Sequence, residues 1–375
     1  MATLKIIHTA DWQLGKPFGR FAPTVRAALS EARLDAIDQI GKVAIAGGTS
    51  HVLVAGDVFD NVDPGDRIVM QAMSRMEQAP VVWWLMPGNH DHARAGGLWS
   101  RARARAPSNV RVVDTPEPVE MAENAWLLPA PLEHRKTVAD PTAALVNMVT
   151  PPGALRIGLA HGSISEFGGT GESSNIIPPD RARSAGLDYL ALGDWHGFLT
   201  VGDRTAYSGT PEVDRFGREE AGACISASVR SGDAPVLRRT ETGRYRWLSR
   251  QWDLENIGDL ERETAALRAE ARLSDVLLSL RLSGVASLSD RVAITSAIED
   301  RLAHELRHLN LDAHGLTARP TPEDVARIDV QGALASATNS LRVRAEAGGP
   351  DAELARAALE RLYVEAMRLD AEAAR

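Results

Sequence analysis

Cysteine and long apolar runs are both scarce in this chain. Its single cysteine, Cys224, excludes an intrachain disulfide and fits a reducing compartment. No apolar segment approaches the roughly 20 residues that span a bilayer, so no membrane partner is expected. The first residues, Met1-Ala2-Thr3-Leu4, contain no basic region and no cleavable apolar stretch. These absences together predict a cytoplasmic protein.

An excess of positive charge is also missing. The formal net charge over 375 residues is −8, whereas nonspecific nucleic-acid binders are usually basic. The total does not exclude a nucleic-acid partner, because local patches decide contacts with phosphate and most basic residues here are arginines. Hydrophobic residues at 44% and charged residues at 25% are typical of a globular protein, and the length suits two or three domains.

Short apolar runs alternate with stretches of helical periodicity from Leu4 to about Asp194. This alternation predicts an α/β fold in which helices pack on a sheet. Further strands and helices between residues 251 and 320 predict a small α/β domain. The segment 321–375 ends in an amphipathic helix marked by Leu354, Leu359 and Leu369. We therefore expect a main domain over 1–250, a small domain over 251–320 and a helical region over 321–375.

Polar side chains follow five of the predicted strands at the point where each strand ends. Open α/β folds place their ligands at this edge of the sheet, so we expect the first three of these strands to bring their side chains along one edge. The polar side chains at the five strand ends are Asp11 and Gln13, Asp57, the run Asn89-His90-Asp91-His92, His161, and the pair Asp194 and His196.

These residue types suit a two-metal phosphoryl-transfer site, in which two cations about 3.5–4 Å apart clamp the attacking and leaving oxygens. A carboxylate must bridge the two metals, and Asp57 directly after a strand suits that role. The remaining ligand positions are assigned to Asp11, Gln13, Asn89, His161, Asp194 and His196. We predict that His90 protonates the leaving oxygen, since imidazole titrates near neutral pH, and we group Asp91 with it as catalytic.

The same residues resemble the ordered motifs of calcineurin-like metallophosphoesterases, and most of all those of SbcD-type DNA exonuclease subunits and their YhaO-like relatives. The resemblance covers residues 4–216 and implies a two-sheet (αββα) sandwich, a smaller α/β capping domain and a C-terminal helical segment. It also implies a DNA nuclease that works with an SMC-like ATPase subunit, and it leaves a homodimer open. The motifs are Asp11-x-Gln13, Gly56-Asp57-x-x-Asp60, Gly88-Asn89-His90-Asp91, His161-Gly162 and Gly193-Asp194-x-His196.

Two positions depart from that family pattern, which usually has His where this chain has Gln13 and Gly-His-x-His where it has Gly193-Asp194-Trp195-His196. Oxygen-rich ligation favours manganese or magnesium over zinc. The expected cofactor is therefore a pair of divalent ions, Mn²⁺ before Mg²⁺, with readier exchange at Gln13. The resemblance implies that Asp11, Gln13, Asp57 and His196 hold one metal and that Asp57, Asn89, His161 and Asp194 hold the other.

A basic run lies just downstream of the His90 turn, at Arg101, Arg103 and Arg105. An extended segment would align these side chains toward substrate phosphate, whereas a helix would splay them. We assign them, with His92, to substrate binding, and the alternative is an ordinary solvated helix.

Three functions remain open from the sequence. The first is a metal-dependent DNA nuclease subunit, and the second is a phosphoesterase that acts on small nucleotides or phosphoproteins. The third is a catalytically weakened subunit that binds DNA or scaffolds the ATPase. The departures at Gln13 and Asp194 are what favour the third.

Overall fold

The computed structural model describes residues 3–164, 174–324 and 333–373. The chain forms two compact units. The first comprises Met1–Asp214 and Glu220–Tyr245, and the second comprises Arg215–Glu219 and Arg246–Arg375. The predicted treatment of residues 321–375 as a separate region stays a prediction.

A six-stranded sheet in the first unit is parallel through its middle. Its strand order is β14-β13-β1-β2-β3-β4. Strands β1 to β4 are parallel to one another, and the last two strands of the unit join antiparallel on the side of β1. The six strands are β1 (Leu4–Thr9), β2 (His51–Val54), β3 (Val82–Leu85), β4 (Val110–Val112), β13 (Ala223–Val229) and β14 (Val236–Glu241).

A second six-stranded sheet has the order β11-β12-β10-β7-β6-β5, with a parallel centre from β6 to β12. The six strands are β5 (Val119–Ala122), β6 (Ala125–Ala130), β7 (Leu155–His161), β10 (Tyr189–Gly193), β11 (Leu199–Val201) and β12 (Thr205–Tyr207). Between β7 and β10 in the chain, two short strands form a separate parallel pair. They are β8 (Ser163–Ile164) and β9 (Ile176–Ile177).

The two sheets pack face to face, and helices cover their outer faces. Side chains alternate across a strand, so Ile7 of β1 packs in the helical layer while its neighbour Ile6 packs against the other sheet. The outer face of the second sheet is covered in the same way, where Leu128 packs against Leu145. The helices of this unit are α1 (Pro23–Ala46), α2 (Asp66–Glu77), α3 (Leu98–Arg105) and α4 (Arg181–Ser184), with a 3-10 turn at Ala143–Asn147. The predicted two-sheet α/β sandwich is confirmed.

The second unit is built on a three-stranded parallel sheet in the order β15-β16-β17. Its strands are β15 (Arg246–Asp253), β16 (Val276–Ala286) and β17 (His308–Ala318). Its helices are α5 (Ile257–Glu270), α6 (Leu288–Ala297), α7 (Ala303–Glu305), α8 (Ala333–Ala347) and α9 (Ala352–Ala373), with a 3-10 turn at Leu273–Asp275 and a π-helical turn at Ile298–Leu302. In the described ranges of both units, no helix combines the length and apolar character that crossing a membrane requires.

The C-terminal helix α9 buries only part of the stripe that its leucines predict. Leu359 and Tyr363 are buried in a cluster with Leu288 of α6, whereas Leu354 is 72% exposed and Leu369 is 58% exposed. Small residues at helical spacing complete the buried face, so the alanines mark the contact as much as the leucines do.

Leu359→Ala should destabilise the second unit by about 2–4 kcal/mol, because it deletes a fully buried side chain and leaves a cavity. Leu354→Ala, on the exposed face of the same helix, should change the free energy of unfolding by less than about 0.5 kcal/mol. Urea denaturation followed by circular dichroism measures both. Equal effects of the two changes would show that α9 does not pack as described.

Candidate active site

The ends of strands from both sheets meet in one buried cluster. Asp11 follows β1 and Asp57 follows β2 in the first sheet, while His161 ends β7 in the second. One ligand atom from each lies within 4.8 Å of the other two, and all three side chains are buried. The three strand ends that the sequence placed along one sheet edge, those before Asp11, Asp57 and Asn89, all belong to the first sheet. His161 and Asp194 come from the second sheet, whose strands end at the same cluster.

Backbone conformation is strained at the predicted ligand positions. Within the described residues, seven residues other than glycine have positive φ, and four of them are predicted metal ligands. These four are Asp11 at 56°, Gln13 at 45°, Asp57 at 52° and Asp194 at 100°. Such conformations cost roughly 1–3 kcal/mol each and persist where surrounding bonds hold them. Here the first two loops hold each other through the N–H of Asp11 to the carbonyl of Gly56 (3.1 Å) and the N–H of Gln13 to the carbonyl of Asp57 (2.9 Å).

Two glycines allow the loops to approach this closely. Gly56 has φ +86°, and a Cβ added there would lie 2.3 Å from Nδ1 of His161. A Cβ at Gly88 would lie 2.2 Å from Oδ1 of Asp57. Both distances are much shorter than a van der Waals contact, so only glycine leaves room for the side chains of the predicted ligands.

The imidazole of His161 is oriented as a ligand. Its Nδ1 donates to the carbonyl of Ala55 at 2.8 Å, which fixes the tautomer and turns Nε2 toward the carboxylates. Nε2 lies 3.5 Å from Oδ1 of Asp57 and 3.8 Å from Oδ1 of Asp194. Among the described residues this buried nitrogen has no hydrogen-bond partner, and neither has the buried Oδ1 of Asn89.

The electrostatics of this cluster favour positive charge. Burial alone would lower the pKa of His161, but the carboxylates of Asp57, Asp11 and Asp194 outweigh burial and raise that pKa to about 9. Burial raises the pKa of Asp11 well above its ordinary value, and the neighbouring Asp57 and Asp194 add to the effect. A divalent cation would replace the protons that such a cluster otherwise retains. The donor set of Asp57, Asn89, His161 and Asp194, with Asp11 beside it, therefore fits a metal ion.

His90 and Asp91 play different parts. His90 is partly exposed, and its Nδ1 lies 2.9 Å from the carbonyl of Asp60, which can fix the ring. Asp91 is fully buried, and its carboxylate accepts the N–H groups of Gly88 (2.6 Å) and Phe59 (3.0 Å). Burial, followed by the charge of Asp57, raises the pKa of Asp91 to about 7. Asp91 therefore ties the two loops that carry Phe59 and Gly88 together, and its predicted catalytic role stays a prediction.

The side chains of Gln13 and His196 lie next to each other, and Gln13 is hydrogen-bonded to a lysine. Oε1 of Gln13 accepts a hydrogen bond from Nζ of Lys16 at 2.9 Å, and Nε2 of Gln13 is 3.4 Å from Nε2 of His196. Lys16 also contacts the buried carboxylate of Asp214 at 2.5 Å. Sequence reasoning missed Lys16 and Asp214, although Lys16 follows the Asp11-x-Gln13 motif by only a few residues.

The basic run on α3 does not form the aligned patch that an extended segment would give. It is helical, and its arginines pair with carboxylates: Arg101 with Asp63 at 2.8 Å and Arg105 with Asp66 at 2.9 Å. Arg103 pairs with Asp114 and is the one member of this trio that lines the neighbouring cleft. The helix splays the three side chains, as the alternative interpretation expected, and their assignment to substrate binding stays a prediction.

A cleft of about 1130 Å³ lies beside His90 and is lined on several sides by basic groups. The Nδ1 of His92 lies 3.2 Å from the carbonyl of Asn89, and its Nε2 accepts from Arg94 at 3.0 Å. The basic run His134-Arg135-Lys136 in this lining was not predicted from the sequence. It comes shortly after strand β6, in the same way that the predicted ligands come after their strands. The charged and imidazole side chains of the lining are Asp60, His90, His92, Arg94, Arg103, Asp114, Glu133, His134, Arg135 and Lys136.

Comparison with known proteins identifies the family. The sequence profile of the calcineurin-like phosphoesterases matches residues 4–198, over half of the chain. The chain belongs to this family. The family assignment makes the strand-end cluster the candidate active site of a metal-dependent phosphoester hydrolase.

Individual relatives are more distant. The SbcD subunit of the SbcCD nuclease of Bacillus subtilis (strain 168) is 30% identical over 95 residues, which span 24% of this chain and 22% of that protein. This match confirms the predicted similarity to SbcD-type subunits. Among solved structures, TT1561 of Thermus thermophilus has a TM-score of 0.41 at 11% identity, covering 64% of this chain and 100% of its own. A purple acid phosphatase from yellow lupin (Lupinus luteus) seeds has a TM-score of 0.38 at 11% identity, covering 64% and 52%.

Metal binding at pH 7 should release a proton from His161, because the pKa of its metal-free imidazole, about 9, lies above that pH and a ligand imidazole must be neutral. The apparent affinity should rise by up to about tenfold per pH unit between pH 7 and 9 and level off above that range. Titration calorimetry of Mn²⁺ in buffers of different ionisation enthalpy counts the protons. The variant His314→Gln, which removes an exposed imidazole, should leave the count unchanged. A pH-independent affinity without proton release would contradict His161 as a ligand.

Proposed function

We propose that this calcineurin-like phosphoesterase is a metal-dependent nuclease that hydrolyses phosphodiester bonds in DNA as the nuclease subunit of a complex with an SMC-like ATPase. The observation that carries the proposal is the buried cluster of Asp11, Asp57 and His161 beside a cleft lined by His90 and by cationic side chains. The similarity to a protein named as a nuclease subunit supports the choice of DNA and of a partner subunit.

The chain's own residues would divide the work. Asp57, Asn89, His161 and Asp194 would hold a divalent cation, which supplies Lewis-acid polarisation of a phosphoryl oxygen. His90 would deliver a proton to the leaving oxygen from Nε2, while its Nδ1 stays bonded to the carbonyl of Asp60.

The cleft supports a phosphate-bearing substrate. Arg94, Arg135 and Lys136 line it together with His90. Arginine offers phosphate a planar fork of donors, and a lysine ammonium offers a point charge. Arg103 contributes less, because its guanidinium already pairs with Asp114.

Exposed aromatic side chains next to the ligands favour a nucleic acid over a phosphoprotein. Trp195 stands between Asp194 and His196 in the chain and is 45% exposed, and Phe198 is 37% exposed. Nucleobases stack on exposed aromatic faces with about 1–3 kcal/mol per base, a contribution that phosphoproteins and small phosphoesters without a base lack. Trp195 and Phe198 are therefore assigned to stacking with bases next to the scissile phosphate.

The proposal predicts cleavage of labelled linear duplex DNA, single-stranded DNA and a chromogenic phosphodiester in Mn²⁺ or Mg²⁺, with none in chelator. Asp57→Asn should lower all of these activities by more than about 100-fold, because it weakens the central carboxylate of the metal site. Asp63→Asn, at a carboxylate whose side chain is 82% exposed, is the matched control and should leave them unchanged. Hydrolysis of the chromogenic ester without any cleavage of DNA would favour the small-substrate phosphoesterase instead. Metal binding without hydrolysis of any of them would favour the scaffold subunit.

Trp195→Ala should lower kcat/KM for single-stranded DNA by about 5–100-fold, the equivalent of one lost stacking contact. The same change should leave kcat/KM for the chromogenic phosphodiester within about twofold, since the latter carries no nucleobase. Trp195→Phe keeps an aromatic face and should recover most of the DNA activity. Equal losses on both substrates in Trp195→Ala would show that Trp195 supports the metal loop and does not stack on a base.

A further inference from the structure

The amide of Gln13 is fixed in one orientation by Lys16. A lysine ammonium has three donors and no acceptor, so the amide atom at 2.9 Å from Nζ of Lys16 must be the oxygen. The amide NH₂ group is then the end that faces His196, with 3.4 Å between the two nitrogens. Turning the amide over would bring its NH₂ group against the ammonium, donor to donor. The orientation therefore follows from chemistry and is not an arbitrary choice between nitrogen and oxygen.

Lys16 is itself held by a buried network. Its Nζ lies 2.5 Å from Oδ2 of Asp214, and the same oxygen lies 2.8 Å from Arg33. The side chains of Asp214 and Arg33 are each 2% exposed. Arg33 also donates to the carbonyl of Trp12, which stands between Asp11 and Gln13 in the chain. The ammonium thus contacts the loop of Gln13 directly and is also linked to it through Asp214 and Arg33.

This arrangement opposes a cation between Gln13 and His196. An amide NH₂ group offers no lone pair to a metal, and its hydrogens carry partial positive charge. The oxygen of the same amide already serves Lys16, so a metal ion there would also lie close to an ammonium and be repelled by it. Gln13 and His196 are two of the four ligands that the family resemblance assigns to the first metal.

The opposite side of the cluster has the reverse character. Nε2 of His161 and Oδ1 of Asn89 are buried and have no hydrogen-bond partner among the described residues. Both lie among carboxylates: Nε2 of His161 is 3.5 Å from Asp57, and the amide of Asn89 is 3.4 Å from Asp194. Two buried atoms that can bind a metal thus lie on this side beside two carboxylates, and no ammonium contacts them in the described residues.

We propose that the site binds a single divalent cation at Asp57, Asn89, His161 and Asp194, and that Lys16, through the amide of Gln13, closes the position next to His196 to a second. Lys16 is a positioning residue in this arrangement, and its ammonium supplies fixed positive charge where the family pattern would have a metal. The inference concerns the same site as the proposed nuclease function, but it is tested by counting bound metal without any substrate. The two can therefore fail separately.

The test is the stoichiometry of Mn²⁺ binding to the full chain, by titration calorimetry and by electron paramagnetic resonance, which distinguishes isolated from exchange-coupled ions. The wild-type protein should bind one Mn²⁺ and show an uncoupled spectrum. Gln13→Leu should still bind one ion with an affinity within about twofold, because Gln13 is not a ligand. Two comparably bound ions in the wild type, or loss of an ion in Gln13→Leu, would overturn the proposal.

Lys16→Met supplies the complementary result. This change releases the amide of Gln13 and removes the ammonium. The affinity for a second Mn²⁺ should therefore be at least about tenfold higher than in the wild type, and the spectrum should be that of coupled ions. Lys42→Met, which removes an exposed lysine from α1, is the matched control and should leave the stoichiometry at one. A Lys16→Met protein that still binds only one ion would contradict the role of Lys16. The Gln13→Leu measurement decides the single-ion claim even where Lys16→Met fails to fold.

Discussion

The crowding of carboxylates around one buried imidazole is the constraint on which the site depends. Asp11, Asp57 and Asp194 converge on His161 at the ends of strands from two sheets. Such a cluster repels itself unless positive charge enters it, and the raised pKa of His161 expresses that demand. The strained backbone at three of these residues' positions, and the glycines that let the loops touch, follow from bringing them together. The sandwich supplies the rigidity that holds this arrangement.

Much of the fold and of the cluster could be predicted from the sequence. Short apolar runs that end in Asp, Asn or His identify buried parallel strands and their carboxyl ends. The sequence alone therefore predicts that Asp57 and His161 belong to the cluster. Periodicity does not state which sheet a strand joins, so the assignment of His161 and Asp194 to a second sheet needed the structure.

Side-chain bonding was the other part that the sequence could not supply. Asp91 stands next to His90 in the chain, yet its carboxylate accepts two backbone N–H groups and links two loops. The arginines of α3 matched a basic patch by composition, but the helix directs them to surface carboxylates. Lys16 was overlooked because its importance comes from contact with Asp214, which lies far along the chain. In each case the chemistry of a residue was evident from the sequence and its partner was not.

The departures from the family pattern acquire a physical meaning in this context. Asp194 adds negative charge on the side where Asn89 and His161 present available lone pairs. Gln13 stands on the other side, where an ammonium takes up its oxygen. The two changes make the site asymmetric in charge: a carboxylate is added on one side, and an ammonium is held on the other.

The most direct measurement is a crystal structure of the protein soaked in Mn²⁺, with anomalous diffraction recorded at the manganese edge. We expect one anomalous peak, bounded by Asp57, Asn89, His161 and Asp194, with the amide oxygen of Gln13 still on Lys16. A peak between Gln13 and His196, or no peak near His161, would contradict the account.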